Sequence, residues 1–173
     1  MFWQKVGDDD FAKNDLRIIF FDIEVDPLPD GEFPKPEDVK AEINIITCWD
    51  SLDKKYHVFS KNRYTGNNLP DDAEYDYVPS ERGLLLHFLD YWKSNNYPDI
   101  VAGWNSNGFD FPYTFNRIIK VLGEEAYNSL SPHDMVDTRI VKDKMFRDVI
   151  KYDIKGVTLL DWMDVYVKFK VTK

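Results

Sequence analysis

A chain of 173 residues, 43% hydrophobic and 16% aromatic, suits one packed domain by a rule of roughly 150 residues each and is too apolar for a disordered one. Its net charge of −9 argues against a coat-type nucleic-acid binder, whose affinity rests on neutralising phosphates, yet fits a chain that gathers divalent cations on acids. No apolar run approaches the ~20 residues of a membrane span and no charged leader precedes a hydrophobic segment, while the single cysteine, Cys48, excludes an internal disulfide and suits a reducing cytoplasm.

Residues 1–15 are polar and acidic apart from Phe2, Trp3 and Phe11, and read as a loosely held lead-in. Leu16 to Val25, LRIIFFDIEV, is a buried strand by its β-branched and aromatic content. The proline-rich DPLPDGEFPKPED that follows can continue neither as helix nor as central strand. INIITCWDS at Ile43 to Ser51 and KKYHVFS at Lys54 to Ser60 are two further strands joined by a tight corner, with Cys48 as a small core residue. Lys61 to Val78, rich in Asn, Asp, Pro and Gly, reads as a surface loop. Pro79, Ser80 and Glu81 then open a helix whose stripe is Leu84, Leu85, Phe88, Leu89 and Trp92. DIVAGW at Asp99 to Trp104 is a short strand, and Asp110 to Leu122 a second helix stopped by Gly123. Arg139 to Ile154 alternates basic and apolar residues about a centre at Phe146 to Asp148, the pattern of a protruding hairpin. Val157 to Leu160 is a last strand, leading into an amphipathic helix from Asp161 to about Lys170. The order predicts an α/β fold: a three-strand meander extended into a mixed sheet by strands reached through helical crossovers.

Two acids sit inside the first strand. Asp22 and Glu24 are two residues apart, so they project from the same face, and like charges that close need a cation or a shared proton. Asp110 lies where the Gly and Asn-rich GWNSNGFDFPY enters a helix. An acid there serves as a helix cap, but a strand end beside a helix start is also where an α/β sheet opens its crevice. Three acids converging there give an all-oxygen site suited to Mg²⁺ or Mn²⁺. Zinc fits less well, because His57, His87 and His133 are scattered.

FDIEV at Phe21 to Val25 resembles the first exonuclease motif of the DEDD nuclease superfamily, and N-x-x-x-F-D at Asn105 to Asp110 resembles the second. DGEFPKP, ITCWDS, GWNSNGFDFPYTFNRI, LSPH and GVTLLDWMDVYVKF extend the resemblance, in order, to the proofreading exonuclease domain of T-even-type bacteriophage family B DNA polymerases. The resemblance implies a ribonuclease-H-like fold and stepwise removal of nucleotides from the 3′ end of single-stranded DNA by two-metal hydrolysis, in the cytoplasm of a phage-infected bacterial cell. By it, Asp22 would bridge both metals, Glu24 would ligate the one carrying the water, and Asp110 would hold the second. Asn105 would position substrate or the motif backbone, and Phe33 would stack on bases near the 3′ end, the alternative being a loop aromatic tucked on the core. Phe109 divides between core packing and substrate contact. Arg139, Lys142, Lys144 and Arg147, in the one locally basic region, would touch primer-template phosphates, or else form a solvated hairpin face.

The family's third motif, Y-x-x-x-D, does not occur in the expected place after the last helix. Residues 1–173 therefore read as a single partial exonuclease domain, nearly inactive alone, with Asp161 or Asp164 as the nearest stand-ins and the rest of the polymerase, on the same or a separate chain, as its partner. A non-catalytic piece of a split polymerase and an RNA-trimming DEDD exonuclease are the competing expectations.

Overall fold

The structure, a computed structural model, describes residues 16–142, 146 and 148–170; the 1–15 lead-in lies outside them. The first strand forms as β1, Ile18–Val25, and its alternation decides which way it faces. Ile19, Phe21 and Ile23 are buried, whereas Phe20, Asp22 and Glu24 lie on the opposite, open face. β2, Ile43–Asp50, and β3, Lys55–Ser60, continue it as the expected antiparallel meander, with Asp22 opposite Thr47. β4, Ala73–Tyr77, then pairs in parallel with β3 at the sheet edge. This corrects the expectation of an unbroken surface loop over Lys61 to Val78. AEYDY carries two acids and lacks a valine or isoleucine, so its strand character comes from pairing, aided by the Lys55–Glu74 ion pair across the ladder.

α1, Glu81–Lys93, starts where Ser80 caps it by accepting from the Gly83 amide, and buries the predicted stripe from Leu84 to Trp92. β5, Ile100–Gly103, runs parallel to β1. α2, Asp110–Leu122, buries Phe111, Tyr113, Phe115 and Ile118, and ends at Gly123, whose positive φ of 97° turns the chain. A short α3, Glu124–Asn128, follows; no sequence signal distinguished it from a turn. β6, Val136–Lys142, and β7, Asp148–Ile154, form the separate antiparallel hairpin. β8, Thr158–Asp161, joins the main sheet beside β5, and α4, Trp162–Phe169, leaves from it. Among the described residues the six-stranded sheet has the order β4-β3-β2-β1-β5-β8. This mixed sheet flanked by helices, with its hairpin, is a ribonuclease-H-like arrangement, as expected.

The core lies between the buried face of β1 and helices α1 and α2, where Phe21 sits 5.6 Å from Phe88 and 5.9 Å from Phe111 by ring centroids. Two buried ion pairs pin its margins. Arg17 meets Asp50 at 2.8 Å, and Arg117 forks onto both oxygens of Glu81. Arg117 also donates to the Val39 carbonyl at 2.8 Å, while Glu81 accepts from the Ile43 amide at 2.8 Å, so the pair fastens the proline-rich loop to both helices. Removing the cation would leave Glu81 buried and uncompensated. Arg117→Met is therefore expected to lower unfolding free energy by about 3–5 kcal/mol in urea titration, and a loss below about 1 kcal/mol would contradict this role.

Candidate active site

The β1–β5 ladder runs only as far as Phe20 and Ala102, so the Ile23 amide lies beyond the reach of β5. Asp110 takes that place. It is the first residue of α2, with Phe109 at the cap position, and its Oδ1 accepts from the Ile23 amide at 3.3 Å. The acid that the sequence left between cap and ligand thus reaches across to β1, between Asp22 and Glu24.

Only 6% of Asp110 is exposed. Burial, and then the nearby Asp22 charge, push its carboxyl up to about 6, although hydrogen bonds from the Ile23 amide and its own amide pull the other way. Burial also raises the Asp22 carboxyl above its ordinary value. Glu24 stands on the same strand face, in the open. Together Asp22, Glu24, Phe33, Asn105, Phe109 and Asp110 line an open crevice of about 800 Å³, so every candidate from the first two motifs and the proline-rich loop is brought to one place.

The two aromatic side chains lie against each other. Phe33 packs on Phe109 at 5.1 Å, and Phe109 on Tyr113 at 5.1 Å, yet Phe33 keeps 71% of its surface exposed at the crevice mouth. Asn105 has a positive φ of 56°, which asparagine tolerates, and a Cβ on Gly108 would lie 2.8 Å from its Oδ1. Its side chain is folded against the turn it builds.

The hairpin stands apart from the crevice. Arg139 and Lys142 are exposed and, three residues apart on β6, point to opposite faces; Arg139 lies across from Lys151 in the register. Lys144 and Arg147 lie outside the described residues. A groove of about 490 Å³ runs from Asn107 and Gly108 at the turn to Ile150 and Tyr152 on the hairpin.

One crevice feature escaped sequence reasoning. Trp104 is 61% exposed and lines the wall next to Asn105, with nothing in its surroundings to separate it from a core tryptophan. Asp161, considered as a stand-in ligand, is instead buried with both oxygens turned to backbone amides of the 105–107 turn and of α4. Asp164 accepts from the Asn107 side chain at 3.3 Å. The donor chemistry of Asp22, Glu24 and Asp110 suits a hard cation, and the mutual repulsion of Asp22 and Asp110 is what a cation relieves. Among the described residues, however, no group of three or more Asp, Glu, His or Cys side chains is arranged to hold a metal ion.

Without metal, ionising Asp110 opposes folding. The penalty is absent below the ordinary carboxyl value of 3.8, grows as pH rises toward about 6, and is complete above it. Asp110→Asn keeps an acceptor for Ile23 and removes the charge. In chelator at pH 7 it is expected to raise unfolding free energy by about 1–2 kcal/mol after solvent screening, and to flatten the dependence between about pH 4 and 6. A loss of stability at pH 7 would contradict this.

Residues 3–173 match the family described as DNA polymerase family B, exonuclease domain. The chain is 32% identical to the DNA-directed DNA polymerase of Escherichia phage RB69 over 181 residues, covering 91% of this chain and 20% of that protein. It is 31% identical to the DNA-directed DNA polymerase of Enterobacteria phage T4 over 180 residues, again 91% of this chain and 20% of that protein. The DNA polymerase catalytic subunit of rat cytomegalovirus matches at 31% over 118 residues, 64% of this chain and 10% of that protein. The chain thus spans about a fifth of the length of its two phage relatives. Its ordered motifs, its mixed sheet and this match agree: the chain belongs to the exonuclease domain family of the family B DNA polymerases, of the T-even phage type.

Proposed function

We propose that this chain removes nucleotides from the 3′ end of single-stranded DNA as the proofreading part of a family B DNA polymerase, acting on primer-template DNA in the cytoplasm of a phage-infected bacterium. The observation that carries this reading is the pairing of Asp22 with a buried Asp110 whose carboxyl is pushed up to about 6, at the end of β1. Residues 1–173 act in it as one exonuclease domain, working with the remainder of the polymerase on the same or a separate chain. The phage relatives do not favour the readings as a non-catalytic docking piece or an RNA trimmer.

Asp22, Glu24 and Asp110 would hold Mg²⁺ or Mn²⁺, and such ions, when bound, supply a deprotonated water and neutralise charge at the scissile phosphate. Everything else falls to the protein. Asp22 and Glu24 present oxygens from one rigid strand face, and Asp110 is fixed against that strand through the Ile23 amide. Phe33, backed by Phe109, offers an exposed ring on which a terminal base can stack whatever its identity. Asn105 shapes the turn, while Arg139 and Lys142 on the hairpin, and Lys144 and Arg147 in the same basic stretch of sequence, would contact primer-template phosphates. No described helix is long and apolar enough to cross a membrane.

The test is release of nucleotides from a 3′-labelled single strand with Mg²⁺ or Mn²⁺, by the polymerase carrying this domain. Asp22→Ala and Asp110→Ala are each expected to lower kcat by about 10³-fold or more. Phe33→Ala is expected to raise KM about 10-fold with a smaller effect on kcat. Retention of full trimming by Asp22→Ala, or strong preference for an RNA competitor, would overturn the proposal.

A further inference from the structure

We propose that Asp161 is a positioning residue for this hydrolysis: its buried carboxylate holds the turn between β5 and α2 in the shape that presents Asp110 and Asn105 to the β1 acids. The proposal rests on the exonuclease reading and assigns Asp161 a role other than metal ligand.

Asp161 ends β8, opposite Gly103 in the parallel register, and is 4% exposed. Its Oδ1 accepts from the Asn105 amide at 3.0 Å and the Met163 amide at 2.9 Å, and its Oδ2 from the Asn107 amide at 3.0 Å. Among the described residues no cation pairs with it, so these amides and the start of α4 balance its charge.

Capping α4 accounts for only one of the three bonds. The other two cross to a turn more than fifty positions earlier in the chain. That turn has few supports of its own. Its internal bonds are Gly108 N to Asn105 O at 2.9 Å and Phe111 N to Ser106 O at 2.9 Å, and the buried Ser106 hydroxyl has no protein partner. Asn105 is held at positive φ. A side chain on Gly103 would lie 2.8 Å from the Phe21 carbonyl and from Ser106 Cβ, so the turn is seated directly on β1. Close packing at Gly103 thus fixes one end of the turn, and the Asp161 carboxylate fixes its middle. α2 begins three residues after Asn107, with Asp110 as its first residue. The buried Asp161 anion adds to the charge that opposes ionising Asp110, and a serine would cap α4 without that cost. What serine cannot do is span both amides of the turn.

Asp161→Ser separates the two roles, since it keeps a cap acceptor and is too short for the turn; Asp161→Asn keeps one oxygen and loses the second. Hydrogen exchange and Mn²⁺ affinity are read on the purified 173-residue chain and both variants. The expected result for Asp161→Ser is at least tenfold faster exchange at Asn105 and Asn107, retained protection at Met163, an unchanged urea midpoint, and Mn²⁺ binding weakened about 10–100-fold. Asp161→Asn is expected to lose protection chiefly at Asn107. Unchanged exchange at Asn105 and Asn107, unchanged Mn²⁺ affinity, or a loss of protection spread evenly over the fold would each overturn the proposal. If the parent chain binds no Mn²⁺, the three acids need the rest of the polymerase to hold metal, and the exchange pattern still decides whether Asp161 holds the turn.

Discussion

Asp22 and Asp110 come from elements far apart in sequence, and each is worse off for the presence of the other. Burial and mutual charge push the Asp110 carboxyl up to about 6, and burial raises Asp22 as well. Such a juxtaposition persists only when the surrounding structure imposes it. The architecture of this chain is a set of answers to that demand: a strand whose other face is locked in the core, a helix that begins where the neighbouring strand stops, and a turn whose amides are held from outside.

Each answer follows from local chemistry. Because side chains alternate along β1, burying Ile19, Phe21 and Ile23 obliges Asp22 and Glu24 to face the crevice. Because β5 is short, the Ile23 amide is left for Asp110. The Glu81–Arg117 pair and the Arg117 bond to the Val39 carbonyl tie the end of the proline-rich loop to α2, and Phe33 of that loop packs on Phe109 at the start of the same helix. The buried polar contacts specify one arrangement, while the aromatic core beneath supplies the bulk of the stability.

Features written in a single local pattern were legible from the residues. The alternation of LRIIFFDIEV, the Ser80 cap, the Gly123 stop and the basic-apolar hairpin each carry their own signal, and each forms close to the expected bounds. Features that exist only through tertiary pairing were not. AEYDY becomes a strand because β3 offers a parallel edge, and its charges suit an outer position. α3 is a single short segment held against α2. Asp161 displays an ordinary cap signal, and nothing near it in sequence announces the bonds to Asn105 and Asn107. The motifs located the acids, while the geometry placed Asn105 in the turn and set Arg139 and Lys142 on opposite faces of the hairpin.

The site holds a pair of carboxylates together against their own repulsion, which a bound cation would relieve. The most direct measurement is the titration of the Asp110 side-chain carboxyl by carbon-detected NMR, in chelator, in Mg²⁺, and in the Asp22→Asn variant. A midpoint near 6 is expected in chelator, with a partial fall in Asp22→Asn because burial remains, and a fall below the ordinary value of 3.8 on adding Mg²⁺. An Asp110 midpoint already near 3.8 in chelator, and indifferent to both Mg²⁺ and Asp22, would contradict it.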